Sequence, residues 1–292
     1  MEGIITNLKQ QFQSGNLLLK LIYINVALFL LIRLAGVALM LFNVAGTSFL
    51  SYLQFPSSPE QFLYRPWTIL TYMFTHFDFL HILFNILWLY WFGGLFLTFF
   101  TERQLAGLYL MGGFAGALFF MLAYNIFPYF QSVASYSVLM GASASVMAIV
   151  FAVSFYRKEQ EVVLFLLGRI RLIYLALFTL LIDLLAMTSG NAGGHIAHIG
   201  GALFGIWFAS QIRKGKDLTA PVNRLIDMCV NIGKRKPKMR VTYKRTETDY
   251  EYNARKHQET VEIDAILDKL KRSGYASLSA DEKKRLFDAS KK

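Results

Sequence analysis

The side chains that could do chemistry in this sequence are four histidines, two serines and an asparagine that interrupt apolar stretches. Polar groups are costly inside a bilayer, so each is a candidate functional residue if these stretches cross a membrane. A serine hydroxyl becomes a strong nucleophile when a neighbouring histidine takes its proton. We predict that Ser143 is this nucleophile and that His198 is its general base.

Attack on a carbonyl also requires hydrogen-bond donors for the oxyanion that forms. His81 and Asn85 are four residues apart, so on a helix they project from one face and can act together. The backbone amide of Ser143 is a third predicted donor. These residue types at this spacing predict acyl-transfer chemistry with a serine nucleophile.

Small residues surround the predicted nucleophile and base. Gly141 stands two residues before Ser143, and the segment between them contains only alanine. Gly201 and Gly205 are four residues apart in the segment that carries His198. This spacing is typical of helices that pack backbone to backbone in membranes. We therefore predict close contact between the two segments, which would bring Ser143 near His198.

The remaining polar residues bear on two further possibilities, a metal centre and a third catalytic residue. His195 shares a helix face with His198, but two histidines without a carboxylate make a poor metal site. We predict no metal and no cofactor. Asp183 is expected near the outer end of its segment, away from the depth of His198, and is given no role. The sequence therefore predicts a Ser-His dyad.

The elements that must position these residues are transmembrane helices. The chain is 55% hydrophobic and 17% charged, and its apolar residues are concentrated before residue 212. A spanning helix needs roughly 20 mostly apolar residues. We predict an all-α polytopic membrane protein with six spans, at approximately 20–43, 79–100, 105–126, 137–155, 170–188 and 195–212.

The direction of the spans places the polar residues at one depth. Spans two, four and six run the same way, with His81 and Asn85 one to two turns into span two. Ser143 is expected about two turns into span four, and His198 about one turn into span six. Such a coincidence favours a shared site.

Lys and Arg accumulate on the cytoplasmic side of membrane proteins. The predicted outer loops carry only Arg65, so both termini are predicted to be cytoplasmic. The first outer loop, 44–78, mixes aromatic and aliphatic residues and is expected to dip into the membrane interface. We divide the chain into a cytoplasmic segment 1–19, a six-helix domain 20–212 and a basic cytoplasmic tail 213–292 with two short amphipathic helices.

The net charge of +11 belongs mostly to this tail. A basic segment beside a membrane favours anionic lipid headgroups over nucleic acid. The tail is therefore predicted to contact headgroups or a cytoplasmic partner, and no nucleic acid.

Taken together, Gly141-Ala-Ser143, His198 with Gly201 and Gly205, and His81 with Asn85 resemble the motifs of the rhomboid family of intramembrane serine proteases. The resemblance covers roughly residues 20–210. It implies a six-span bundle, the catalytic roles given above, and a fifth span that acts as a side gate. It also implies substrates with a transmembrane helix weakened by Gly or Pro. The tail resembles extensions on some bacterial members, which implies a bacterial inner membrane.

Two alternatives belong to other functional classes. A catalytically inactive rhomboid-like protein would bind transmembrane clients without cutting them, although such proteins usually lack the nucleophile or the histidine. A small-solute transporter would place paired charges or broken helices near the membrane midplane. The polar residues here are predicted in the outer third of the membrane, which argues against transport.

Overall fold

A computed structural model describes residues 15–44, 48–164, 168–231 and 248–290. The chain forms two compact units, Met1–Ile232 and Gly233–Lys292. Most of the predicted N-terminal segment 1–19 lies outside the described residues.

The first unit is helical, with two small pairs of strands. Its helices are α1 (Leu17–Leu41), α2 (Pro59–Tyr64), α3 (Thr68–Thr71), α4 (Phe79–Leu97), α5 (Glu102–Ile126), α6 (Pro128–Gln131), α7 (Ser143–Tyr156), α8 (Leu172–Leu185), α9 (Ala192–Ile212) and α10 (Ala220–Asn231). Short 3₁₀ helices cover Ser48–Tyr52 and Tyr72–Phe74. The strands are β1 (Phe55–Pro56), β2 (Val138–Leu139), β3 (Glu161–Leu164) and β4 (Gly168–Arg171).

Each predicted span overlaps one helix, namely α1, α4, α5, α7, α8 or α9. By length and composition, α1, α4 and α5 are able to cross a membrane, and α7 and α8 are shorter apolar helices of 14 residues each. The prediction of an all-α polytopic membrane protein is confirmed.

Helix α7 is the centre of this unit. It packs against α4, α5, α8 and α9, and Val146–Val153 are buried. Glycines on its neighbours permit the close approach. A Cβ at Gly112 of α5 would lie 2.3 Å from Ala148 Cβ, and one at Gly116 would lie 2.5 Å from Ala144 Cβ. Contacts on all sides therefore hold α7, the helix that carries the predicted nucleophile, in place.

The fourth predicted span begins later than expected. Residues 138–139 form β2, which pairs antiparallel with β1 of the first outer loop, and the helix starts only at Ser143. Ser143 therefore lies at a helix N-terminus, and its predicted position two turns inside a helix is wrong. Periodicity cannot separate a short apolar strand from a buried helix. Helix α9 begins at Ala192, so His198 lies nearly two turns into it instead of one.

The first outer loop is folded onto this bundle. The Nη1 atom of Arg65 donates to the carbonyl of Ser51, and the indole of Trp67 donates to that of Tyr52, both at 2.8 Å. The buried hydroxyl of Tyr72 donates to the carbonyl of Gly113 at 2.5 Å. These bonds connect the loop to itself and to α5.

The tail differs from its predicted form. Helix α10 belongs to the first unit and contacts α5, where Arg103 and Asp227 form an exposed ion pair at 3.3 Å. The second unit contains α11 (Asp249–Ser273), a 3₁₀ turn and α12 (Ala280–Ala289). With 25 residues, α11 is longer than the short helix that we predicted.

Candidate active site

The backbone before Ser143 is held by the first outer loop. The amide of Gly141 donates to the carbonyl of Tyr72 at 2.9 Å, and the amide of Ala142 donates to Nε2 of His76 at 3.2 Å. Gly141 has φ +116°, a conformation that L side chains rarely adopt. This turn ends the strand β2 and allows α7 to begin at Ser143.

The position at a helix start gives Ser143 chemical features that the sequence did not indicate. Amides in the first turn of a helix have no acceptor within the helix. The N-terminus also carries the positive end of the helix dipole, which favours a developing anion. Because of both features, the amide of Ser143 is well placed to donate a hydrogen bond to an oxyanion.

Helices α7 and α9 touch backbone to backbone. A Cβ at Gly201 would lie 2.1 Å from the carbonyl oxygen of Ala144, and one at Gly205 would lie 2.3 Å from that of Ala148. Any larger residue at these positions would separate the two helices. The glycines of α9 therefore hold His198 and Ser143 on adjoining helices.

The four predicted catalytic side chains line one cavity of about 340 Å³. Ser143 comes from α7, His198 from α9, and His81 and Asn85 come from α4. Apolar side chains such as Trp88 and Met147 form the rest of the wall. The structure thus brings the predicted residues together around one space.

Local bonds fix the two residues on α4. Asp78 caps this helix and accepts a hydrogen bond from the amide of His81 at 2.9 Å. The amide nitrogen of Asn85 donates one hydrogen to the carbonyl of His81 at 2.9 Å, so its second hydrogen is available to another acceptor. A Cβ at Gly141 would lie 2.8 Å from Nε2 of His81. The imidazole of His81 therefore lies against the turn that precedes Ser143.

Asp183 lies beside the predicted base, and the prediction that no aspartate reaches His198 is wrong. Its Oδ1 atom lies 2.9 Å from Nδ1 of His198 and 2.8 Å from Nδ1 of His195. The side chain is buried. The prediction compared only how far each residue lies along its helix. Residues 186–191 are a short connection between α8 and α9, so Asp183 and His198 lie near the same end of adjoining helices, and their side chains span the remaining distance. A carboxylate in an apolar stretch is itself a signal of function.

The same contact removes our reason for discounting a metal. The two histidines do have a carboxylate partner, and the ligand atoms of Asp183, His195 and His198 all lie within 4.8 Å of one another.

His76 is a second residue whose role the sequence did not reveal. No role was predicted for it, but the side chain is buried and accepts the hydrogen bond from the amide of Ala142. Burial, and then the neighbouring imidazole of His81, lowers the pKa of His76 to about 4. The ring is therefore neutral at neutral pH, and Nε2 remains an acceptor.

Comparison with known proteins identifies relatives of this chain. The chain is 29% identical over 158 residues to the RHOMBOID-like protein 12, mitochondrial, of Arabidopsis thaliana. The aligned region covers 51% of this chain and 47% of the relative. It is 31% identical over 150 residues to the human presenilin-associated rhomboid-like protein, mitochondrial. That aligned region covers 47% of this chain and 35% of the relative. The chain thus spans less than half the length of these curated relatives.

Two family models match the chain. A family of unknown function (DUF6576) matches residues 246–292 of the tail. The Rhomboid domain matches residues 64–214, which include the cavity and are just over half of the 292 residues. The chain therefore belongs to the rhomboid family.

Proposed function

We propose that this protein is an intramembrane serine protease that hydrolyses peptide bonds in or near the transmembrane helices of other membrane proteins. The observation that carries the proposal is the shared cavity, into which α4, α7 and α9 bring a serine, a histidine and two further hydrogen-bonding side chains. Membership of the rhomboid family supports the same activity.

In the first step, Oγ of Ser143 attacks the carbonyl carbon of the scissile bond while its proton passes to Nε2 of His198. The carbonyl oxygen becomes an oxyanion, which accepts hydrogen bonds from His81, from Asn85 and from the amide of Ser143. When the C–N bond breaks, the leaving amine takes the proton from His198. The acyl group remains on Ser143 as an ester.

A water molecule then attacks the ester, with His198 again accepting a proton. Collapse of the second tetrahedral intermediate releases the new carboxyl terminus, and the proton returns to Ser143. In both steps Asp183 accepts a hydrogen bond from Nδ1–H of His198 and so keeps Nε2 free to act as the base. We assign Asp183 as a positioning residue, which extends the predicted dyad.

The expected substrates are transmembrane helices that can unwind locally, because an intact helix hides its carbonyl groups. Helix-weakening Gly or Pro and a small residue before the cut would favour cleavage. Helix α8 is the proposed side gate. It buries only Leu172, Ala176 and Asp183, whereas Tyr174 and Phe178 are exposed.

We further propose that both termini are cytoplasmic and that the basic tail contacts anionic headgroups or a cytoplasmic partner. The matched relatives carry mitochondrial names, so the comparisons do not support the prediction of a bacterial inner membrane. The first outer loop is proposed to lie in the membrane interface, since Tyr64 and Trp67 are exposed there.

The test is cleavage of a reporter with a transmembrane segment by purified protein in liposomes. Ser143→Ala and His198→Ala are expected to abolish cleavage. Ser145→Ala is the matched control, because Ser145 is buried two residues away and its Oγ faces Gly113 on α5. This control is expected to cleave at the wild-type rate.

Cleavage by Ser143→Ala at the wild-type rate would refute the proposed nucleophile. If folded wild-type protein cuts none of several reporters, the alternative of an inactive client-binding protein is favoured instead.

A further inference from the structure

One cluster of ligating side chains has a geometry that the proposed hydrolysis does not require. A single oxygen, Oδ1 of Asp183, faces Nδ1 of His195 at 2.8 Å and Nδ1 of His198 at 2.9 Å. Hydrolysis needs only the second of these contacts. We propose that Asp183, His195 and His198 form an inhibitory binding site for a divalent transition-metal ion, best suited to Zn²⁺. The inhibitory effect rests on the proposed protease function, but the binding does not.

The donor set is the first argument. Two imidazole nitrogens and one carboxylate oxygen are ligands that Zn²⁺ accepts at about 2.0–2.2 Å, with water in the fourth position of an open site. In a tetrahedral site, ligand atoms lie about 3.3 Å apart at such bond lengths. The separations of 2.8 and 2.9 Å would lengthen by about 0.5 Å, and the ligand atoms of the two histidines, which lie within 4.8 Å of each other, would approach by at most about 1.5 Å.

The backbone already holds the three ligands in place. His195 and His198 are three residues apart, so they share one face of α9. Asp183 lies in the last turn of α8, and residues 186–191 join the two helices. The carboxylate is 7% exposed, and the two imidazoles are 19% and 21% exposed. A site of this kind needs little rearrangement to form.

An ion can reach this cluster through the cavity. Asp183 and His198 line its wall together with Asn191 and Gly194, which flank the start of α9. A volume of about 340 Å³ accommodates an ion and its remaining water ligand.

Occupancy would remove the general base. A metal-bound histidine donates the lone pair of the ligating nitrogen, so its remaining proton is on the other nitrogen. With Nδ1 of His198 bound to Zn²⁺, Nε2 carries a hydrogen and cannot accept the proton of Ser143. Asp183 would also be withdrawn from its contact with His198. The ion would therefore inhibit the enzyme without contacting the nucleophile.

Binding is tested on the full chain with Ser143→Ala, in detergent, by equilibrium dialysis with Zn²⁺ and by the visible absorption of Co²⁺. We expect one ion per chain in tetrahedral coordination. His195→Gln in the same background keeps a donor for Asp183 but is expected to weaken binding by more than tenfold. His257→Gln is the matched control, because this exposed histidine of α11 lies in the other unit. It should leave the affinity unchanged.

Inhibition is tested on the active chain. Zn²⁺ is expected to stop reporter cleavage by the wild-type protein, and EDTA is expected to restore it. The His195→Gln protein is expected to cleave the reporter at Zn²⁺ concentrations that inhibit the wild type. Equal Zn²⁺ affinity of the Ser143→Ala protein with and without His195→Gln would overturn the proposal, as would the absence of binding. If His195→Gln does not fold, Asp183→Asn in the Ser143→Ala background replaces it in the binding test. A wild type without activity would count against the protease function and leave the binding result valid.

Discussion

Nε2 of His76 accepts a hydrogen bond from the amide of Ala142 at 3.2 Å, directly before Ser143 in the chain. A buried side chain of the first outer loop thus holds the turn that carries the nucleophile. Because this bond requires an unprotonated ring, the position of Ser143 depends on the protonation state of His76.

This dependence predicts an acid-sensitive fold. Burial lowers the pKa of His76 from 6.5 to about 4, so below about pH 6.5 the unfolded chain binds a proton that the folded chain does not. The free energy of unfolding should therefore fall, by about 3 kcal/mol in total, as pH drops from about 6.5 to about 4. His76→Gln keeps an acceptor without this titration. In thermal unfolding of Ser143→Ala protein, the variant should lose less stability than its parent between about pH 7 and pH 5.

Equal losses of stability in the His76→Gln protein and its parent would show that His76 is not the titrating group.

Replacing Asp183 should slow the chemical step. Asp183→Asn can present an amide N–H to His198, which favours the tautomer with the proton on Nε2. We expect kcat to fall by about 10⁴-fold with little change in KM. The comparison is Asp227→Asn, which removes an exposed carboxylate of α10 and should retain full activity. Reporter kinetics in liposomes measure both constants. A rise in KM with unchanged kcat would assign Asp183 to substrate binding.

The sequence predicted the architecture better than the detailed site. Long apolar runs set the number and order of the helices, because spanning a bilayer requires a minimum apolar length. Motif spacing likewise identified Gly201, whose contact with Ala144 requires a residue without a side chain. These features depend on local sequence and on general limits of membrane packing.

Contacts between distant segments could not be predicted in the same way. The pairing of β2 with β1 depends on a loop about 80 residues earlier in the chain, so it delays the start of α7 without a local signal. The contact of Asp183 with His198 depends on how α8 and α9 pack, which helix periodicity does not define. The antiparallel pairing of β3 with β4, between α7 and α8, was not predicted at all.

The proposed oxyanion site predicts a loss in turnover and not in substrate affinity. Asn85→Ala removes one donor, and kcat should fall by about 10² to 10³ with KM nearly constant. Asn125→Ala is the control, since Asn125 donates to the carbonyl of Ser57 at 2.8 Å and does not line the cavity. It should affect stability more than kcat. Equal kcat values for the two variants would exclude Asn85 as an oxyanion donor.

Gly201→Ala tests whether the contact between α7 and α9 supports the fold. The added Cβ would lie 2.1 Å from the carbonyl oxygen of Ala144 and 2.9 Å from its carbonyl carbon. Backbone atoms cannot rotate away, so the helices must separate, at a cost of about 1–3 kcal/mol. Gly94→Ala is the matched control, because a Cβ there meets nothing within 4 Å. In a helix it should stabilise the protein by about 0.5–1 kcal/mol. Thermal unfolding of the Ser143→Ala protein in detergent measures both, and equal melting temperatures would contradict the role assigned to Gly201.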